Sequence, residues 1–279
     1  MDARPSAPDG PAGAVGEQEL GGGVTAVTRV GGAVHRAQGP WSPSVHVLLG
    51  HLREGGFDAA PQFLGIDEDG REILTFVDGD TLPDDGPVPD QILLDAARLL
   101  RAYHDATADL AARGLDGLQF PPVRPVEVVC HNDFAPYNLV VRDGRAVGVI
   151  DFDTAGLGPR AWDLAYALYR FAPLRDGMGT PAAQARRVRA FLDAYDATPT
   201  DRVAAVRLVG ERLGALVAFM EAQAQAGNAA YAEHLARGDA ELYRRDIAYA
   251  SRWLATGRRP WPAGLTLPVT SGAVHHSRT

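Results

Sequence analysis

Apolar residues recur along this chain with two different periods, and the change from one to the other divides it. Val24 to Val30 and Ala33 to Arg36 are short runs rich in Val and Thr, joined by Gly31-Gly32, which predicts a strand hairpin. Ile66 to Val77 predicts a second one, closed at Asp69-Gly70. Between them, Val45, Leu48, Leu49 and Leu52 fall at helical spacing. Ser42 reads as the N-cap of that helix, Pro43 suits its first turn, and Gly55-Gly56 ends it near Glu54. From Asp90 the helical period dominates. Ile92, Leu93, Ala96, Leu99, Leu100 and Tyr103 form one face of a helix to about Ala106. Further helices are predicted from Arg160 to Phe171, from Pro181 to about Asp193, from Thr200 to Gly227, and as a final pair divided at Gly238. Strands interrupt this half only once. Val126 to Cys130 is an apolar run, and Leu139 to Val141 and Ala146 to Ile150 flank Asp143-Gly144 as a hairpin.

This pattern predicts a β-rich unit with one helix at 18–78, a polar linker at 79–89, and a mainly helical unit at 90–260. The Pro-, Ala- and Gly-rich stretch 1–17 reads as a disordered tail and 261–279 as a loose one, with His275-His276 belonging to it. The first stretch has neither the basic start nor the apolar centre of a signal peptide.

Composition narrows the function classes. No apolar run approaches the ~20 residues of a membrane span. A net charge of −8 argues against a nucleic-acid partner and favours a cationic one. The single cysteine, Cys130, follows Val128-Val129 and reads as core. It rules out an internal disulfide and fits a reducing cytoplasm. All 27 basic residues are arginines, so the chain has no lysine.

The candidate chemistry lies around the third hairpin. His131 and Asp133 leave the end of an apolar strand, and Asn138 precedes the hairpin. If Asp143-Gly144 is a two-residue turn, Arg142 pairs with Arg145 and Asn138 lies opposite Val149. Asp151, two residues on, then shares a face with Asn138. Such diagonal neighbours stand roughly 7–8 Å apart. An amide oxygen and a carboxylate at that separation can meet at one hard cation, as Mg²⁺ requires. Asp133 remains free to handle a hydroxyl proton. One Asp for the nucleophile, with one Asn and one Asp for metal, is the apparatus of phosphoryl transfer.

The pattern His131-x-Asp133-x-x-x-x-Asn138, the later Asp151 and the run Gly158-Pro159-Arg160-Ala161-Trp162-Asp163 together resemble the aminoglycoside phosphotransferase and choline kinase family. That resemblance implies an α+β, bilobal, protein-kinase-like fold with ATP or GTP in the cleft. It implies catalysis by Asp133, Mg²⁺ held by Asn138 and Asp151 with Asp153 as a further carboxylate, and a small-molecule alcohol as acceptor, such as an aminoglycoside. The backbone of Thr75, Phe76 and Val77 would contact adenine, and Gly22 and Gly23 would approach the phosphates. Kinase-like enzymes grip phosphate with a lysine on the third strand. Arg36 is the expected substitute, with Arg29 a weaker rival. The first helix also lacks the carboxylate that pairs with that lysine, since Glu54 stands at its far end; His46 or His51 is the alternative neighbour of Arg36. His131, His104 and Asp163 are expected to hold loops, and Arg170 and Arg175 to be surface charges. Glu221, Asp239 and Asp246 could meet an amine, although carboxylates on long helices are usually solvated. The missing lysine also motivates a second reading, a kinase-shaped nucleotide- or ligand-binding protein with weak catalysis. A metal-dependent hydrolase finds no paired histidine ligands.

Overall fold

The computed structural model describes residues 17–20, 27–84 and 88–255. Gly22, Gly23 and the stretches 1–16 and 256–279 lie outside them. Five short strands make an antiparallel sheet: β1 (Glu17–Leu20), β2 (Val27–Val30), β3 (Ala33–Arg36), β4 (Phe63–Ile66) and β5 (Glu72–Thr75), in the order β1-β2-β3-β5-β4. Both glycine turns occur where the sequence implies, with Gly31 and Gly70 at φ 61° and 76°. Helix α1 (Ser42–Glu54) lies against β4 and buries Val45, Leu48, Leu49 and Leu52. Its cap differs from expectation. Trp41 is the N-cap, and Ser42, already helical, turns its Oγ back to accept the Gly39 N–H at 3.0 Å.

The rest is mainly helical. Strand β6 (Asp80–Thr81) falls within the stretch expected as linker and pairs with β8 (Leu139–Arg142), which pairs with β9 (Arg145–Val149). Helix α2 (Asp90–Arg113) runs well past Ala106, because Thr107, Leu110 and Ala111 continue its buried face until Gly114 breaks it at φ 86°. Then come β7 (Val128–Cys130), β10 (Gly156–Gly158), α3 (Arg160–Phe171), α4 (Pro181–Ala194), α5 (Pro199–Gln225), α6 (Ala229–Ala236) and α7 (Asp239–Ala255). The Gly-rich segment after Asp153 is not only a loop: β10 pairs antiparallel with β7. Glycine permits this approach, since a Cβ on Gly156 would lie 2.8 Å from Asn132 Nδ2 and one on Gly158 would lie 3.0 Å from Cys130 Sγ.

One core runs through both regions, from Leu48 and Leu52 of α1 through Leu93, Leu100 and Tyr103 of α2 to Phe171, Phe191 and Leu213. The Val149 N–H donates to Ala59 O at 2.8 Å and ties β9 to the loop before β4. Among the described residues no helix is long and apolar enough to cross a membrane.

Candidate active site

Strand β7 is fully buried, and the chain leaves it through His131, Asn132 and Asp133. Asn132 sits in the left-handed region at φ 63°, which exposes two consecutive backbone N–H groups to one acceptor. That acceptor is Asp163, in the first turn of α3. Its Oδ2 takes the His131 N–H at 2.7 Å and its Oδ1 the Asn132 N–H at 2.9 Å. His104 Nε2 lies 3.0 Å from the same carboxylate, and its Nδ1 lies 2.7 Å from the Tyr195 hydroxyl. Burial alone would raise the Asp163 carboxyl; the hydrogen bond and charge of His104, with His131, hold it below the ordinary range. His131 anchors the next turn, accepting the Asp133 N–H on Nδ1 at 3.3 Å and donating from Nε2 to Ile150 O at 3.1 Å. These three side chains hold the loop, as their sequence positions suggest.

Asp133 itself is half-buried. Its Oδ1 accepts the Tyr137 hydroxyl at 2.6 Å and its Oδ2 the Asn138 amide at 2.8 Å. Burial pushes the Asp133 carboxyl up to about 7, against the Tyr137 hydrogen bond and with the charge of Asp151 adding to it. A carboxylate poised near neutrality suits general-base work.

The hairpin departs from the simple register. Arg142 pairs with Arg145, but the register shifts between Val140 and Val141, so Leu139 and not Asn138 faces Val149. The Asn138 carbonyl accepts from Ile150 N–H at 2.9 Å instead. Asp151 stands at φ 67°, outside the strand geometry from which its direction was extrapolated. Its side chain is 46% exposed, and Oδ1 accepts from Arg36 Nη1 at 3.3 Å.

Arg36 is one of the places where the two regions meet. Its Nη2 is bound to Asp153, and its Nε donates to Glu72 Oε1 at 2.5 Å. The other Glu72 oxygen accepts from His46 Nε2 at 2.5 Å. Burial disfavours the guanidinium charge, yet Asp153, Asp151 and Glu72 outweigh it and push the Arg36 pKa upward. Arg29 lies elsewhere, its guanidinium 3.7 Å above the Phe76 ring. At the end of β5, Thr75 N–H and Phe76 N–H are taken by Gln62 O and Gly32 O, both at 2.9 Å. Among the described residues the Val77 backbone has no hydrogen-bond partner.

Two expectations are corrected. Arg170 is not a surface charge: it is buried, its Nη2 binds Asp84, and its guanidinium lies 5.1 Å from the Tyr137 ring centre. Burial lowers its pKa to about 10. Asp246 is not a solvated helix carboxylate either, because it accepts the Tyr169 hydroxyl at 2.6 Å and is buried. Glu221 and Asp239 are paired, with Arg244 and His234 respectively.

Sequence reasoning missed Glu72, Tyr137 and Arg212. Glu72 left a trace, since it shares the inward face of β5 with Leu74, an odd place for a charge. Arg212, buried on α5, donates to Asn132 O and lies 4.8 Å from the Tyr166 ring centre; nothing local marks it.

A model described as the phosphotransferase enzyme family matches residues 16–205 of this chain. The chain belongs to that family. It is 38% identical over 195 residues to the trifolitoxin immunity protein of Rhizobium leguminosarum bv. trifolii, a match covering 63% of this chain and 72% of that protein. Solved structures of similar fold include a choline/ethanolamine kinase family protein from Mesorhizobium loti, at 18% identity and TM-score 0.54, over 86% of this chain and 94% of that one. The GDP complex of a mutant aminoglycoside 2′-phosphotransferase-IIIa is similar at 13% identity and TM-score 0.54, over 87% and 92%. The kinase-like fold expected from the sequence is therefore present, and the chain is a member of a phosphotransferase family.

Proposed function

We propose that this phosphotransferase moves the γ-phosphoryl group of a nucleoside triphosphate, ATP or GTP, to a hydroxyl of a small cationic acceptor in the cytoplasm. The observation that carries the reading is the meeting of three segments: Asp133 holds the Asn138 amide, Arg36 holds Asp151 and Asp153, and the Ile150 N–H to Asn138 O hydrogen bond ties the two groups together. Asp133 orients the acceptor hydroxyl and takes its proton, with Tyr137 fixing the carboxylate. Arg36 neutralises phosphate charge with a fork that is always protonated. The Val77 backbone, without a hydrogen-bond partner among the described residues, suits the adenine edge. Such positioning and charge stabilisation supply most of the rate in phosphoryl transfer.

The donor set fits Mg²⁺. Asn138 spends its amide nitrogen on Asp133, which leaves its amide oxygen as the free end. Asp151 is half exposed, and Asp153, on the same Arg36, adds a second carboxylate. Few protein oxygens, completed by phosphate and water, is the Mg²⁺ habit. Bound there, the ion would neutralise charge developing on the phosphates.

The net charge of −8 supports a cationic acceptor. The likeness to an immunity protein favours a protective role over a metabolic one. A transfer screen with γ-labelled ATP and GTP over aminoglycosides, amino alcohols and sugars tests donor and acceptor together. No labelled product from any of them, alongside nucleotide binding, would favour the second reading, a weakly catalytic binding protein. The engagement of Arg36 by Asp151 and Asp153 is the observation on its side.

A further inference from the structure

The chain has no lysine and no carboxylate in the early turns of α1, so the usual pairing of a phosphate-gripping cation with a helix carboxylate is absent. The structure holds a different arrangement at that place. Glu72 is the direct cross-strand partner of Arg36 in the β3–β5 ladder. Its carboxylate is 1% exposed, and each of its oxygens has one donor: Arg36 Nε on Oε1 and His46 Nε2 on Oε2. His46 belongs to α1, and its ring is stacked on Phe63 of β4, with centroids 3.6 Å apart and planes 12° apart. The imidazole therefore has little freedom to turn away from Glu72.

Arg36 divides its donors accordingly. Nε faces the buried carboxylate from its own sheet, whereas Nη1 and Nη2 reach Asp151 and Asp153 across the cleft. An incoming phosphate competes for the two terminal nitrogens only. The Nε contact, backed by His46, keeps the guanidinium plane in the cleft while its outer partners exchange. We infer that His46 is a positioning residue for phosphoryl transfer: through Glu72 it holds Arg36 in the orientation that grips phosphate, so that a histidine on α1 and a strand glutamate together replace the helix carboxylate. This rests on the nucleotide reading of the site given above.

The test uses the full chain, Mg²⁺ and the non-hydrolysable β,γ-imido analogue of ATP, with affinity measured by calorimetry. His46→Phe keeps a ring against Phe63 and removes the donor, leaving a buried carboxylate oxygen unpaired. It is expected to weaken binding on the order of tenfold. His46→Gln, which retains a donor, is expected to stay within roughly threefold of the parent. Glu72→Gln keeps the shape, removes the charge beneath Arg36 and is expected to weaken binding as His46→Phe does. In an Arg36→Ala background, His46→Phe is expected to add no further loss, a result that a merely structural role would not produce. Parent-like binding by Glu72→Gln, or by a folded His46→Phe, overturns the proposal, as does an equal loss in the Arg36→Ala background. A parent protein that binds no Mg²⁺–nucleotide overturns the nucleotide reading itself, and the role of His46 with it.

Discussion

Tyr137, in the 3-10 turn Pro136–Asn138, donates its hydroxyl back to Asp133 at 2.6 Å, and the same oxygen lies 3.1 Å from the Tyr166 hydroxyl. The contact favours the charged form of a carboxylate that burial has lifted to about 7. Tyr137→Phe removes it, so the Asp133 pKa rises further. The active form is the deprotonated one, so activity is lost from the acid side. The acid limb of the pH–rate profile is expected to move to higher pH, with a greater loss at pH 6 than at pH 8. A profile that does not move would mean that the limb reports another group.

Asp133→Asn leaves the loop's backbone contacts in place and removes the base. A decrease in kcat of about 10²–10⁴-fold is expected, with nucleotide KM near that of the parent. Steady-state kinetics with a confirmed acceptor checks this, and comparable turnover by the variant removes Asp133 from the reaction.

Asp151→Asn is expected to raise the Mg²⁺ concentration needed for half-maximal activity, since it removes charge from a site with few protein oxygens. A Mg²⁺ titration of initial rate makes the comparison. An unchanged half-maximal concentration would place the ion elsewhere.

Asp163 is a matter of stability. It satisfies two buried N–H groups and His104, so Asp163→Ala is expected to cost about 3–5 kcal/mol in denaturant unfolding. Its folded-state pKa lies below the unfolded value of 3.8. The stability it contributes is therefore fully present above that value and is lost as pH falls through the lower folded one. The difference between parent and variant should be constant near neutral pH and shrink in acid.

Gly156→Ala would set a methyl 2.8 Å from Asn132 Nδ2 and 3.3 Å from Phe120 Cβ. A destabilisation of about 1–3 kcal/mol is expected. Because Asn132 precedes the base, kcat should fall as well. A melting curve and a rate measurement on one preparation separate the two effects.

Much of the fold was legible in the chain because periodicity survives without tertiary information. The stripe of α1, the two glycine turns and the Arg142–Arg145 pair all follow from local spacing. Errors began where a local rule was carried past a break in geometry. The bulge in β8–β9 displaced the register by one residue, and the left-handed backbone of Asp151 ended the strand alternation. The true length of α2 was hidden because its last turns are buried by β7, an element distant in sequence.

The motifs' resemblance to a known family supplied the family and the fold class; spacing supplied the candidate base and metal oxygens, and composition the fact that an arginine must do any work that a lysine would. What the sequence could not supply was the company each group keeps. That Glu72 and His46 stand behind Arg36, that Tyr137 clasps Asp133, and that Arg170 lies buried beside Tyr137 depend on separate segments meeting in space. Hydrogen bonds and desolvation act over a few ångströms of space, whatever the distance along the chain, so the tuning of these groups was decided only by folding.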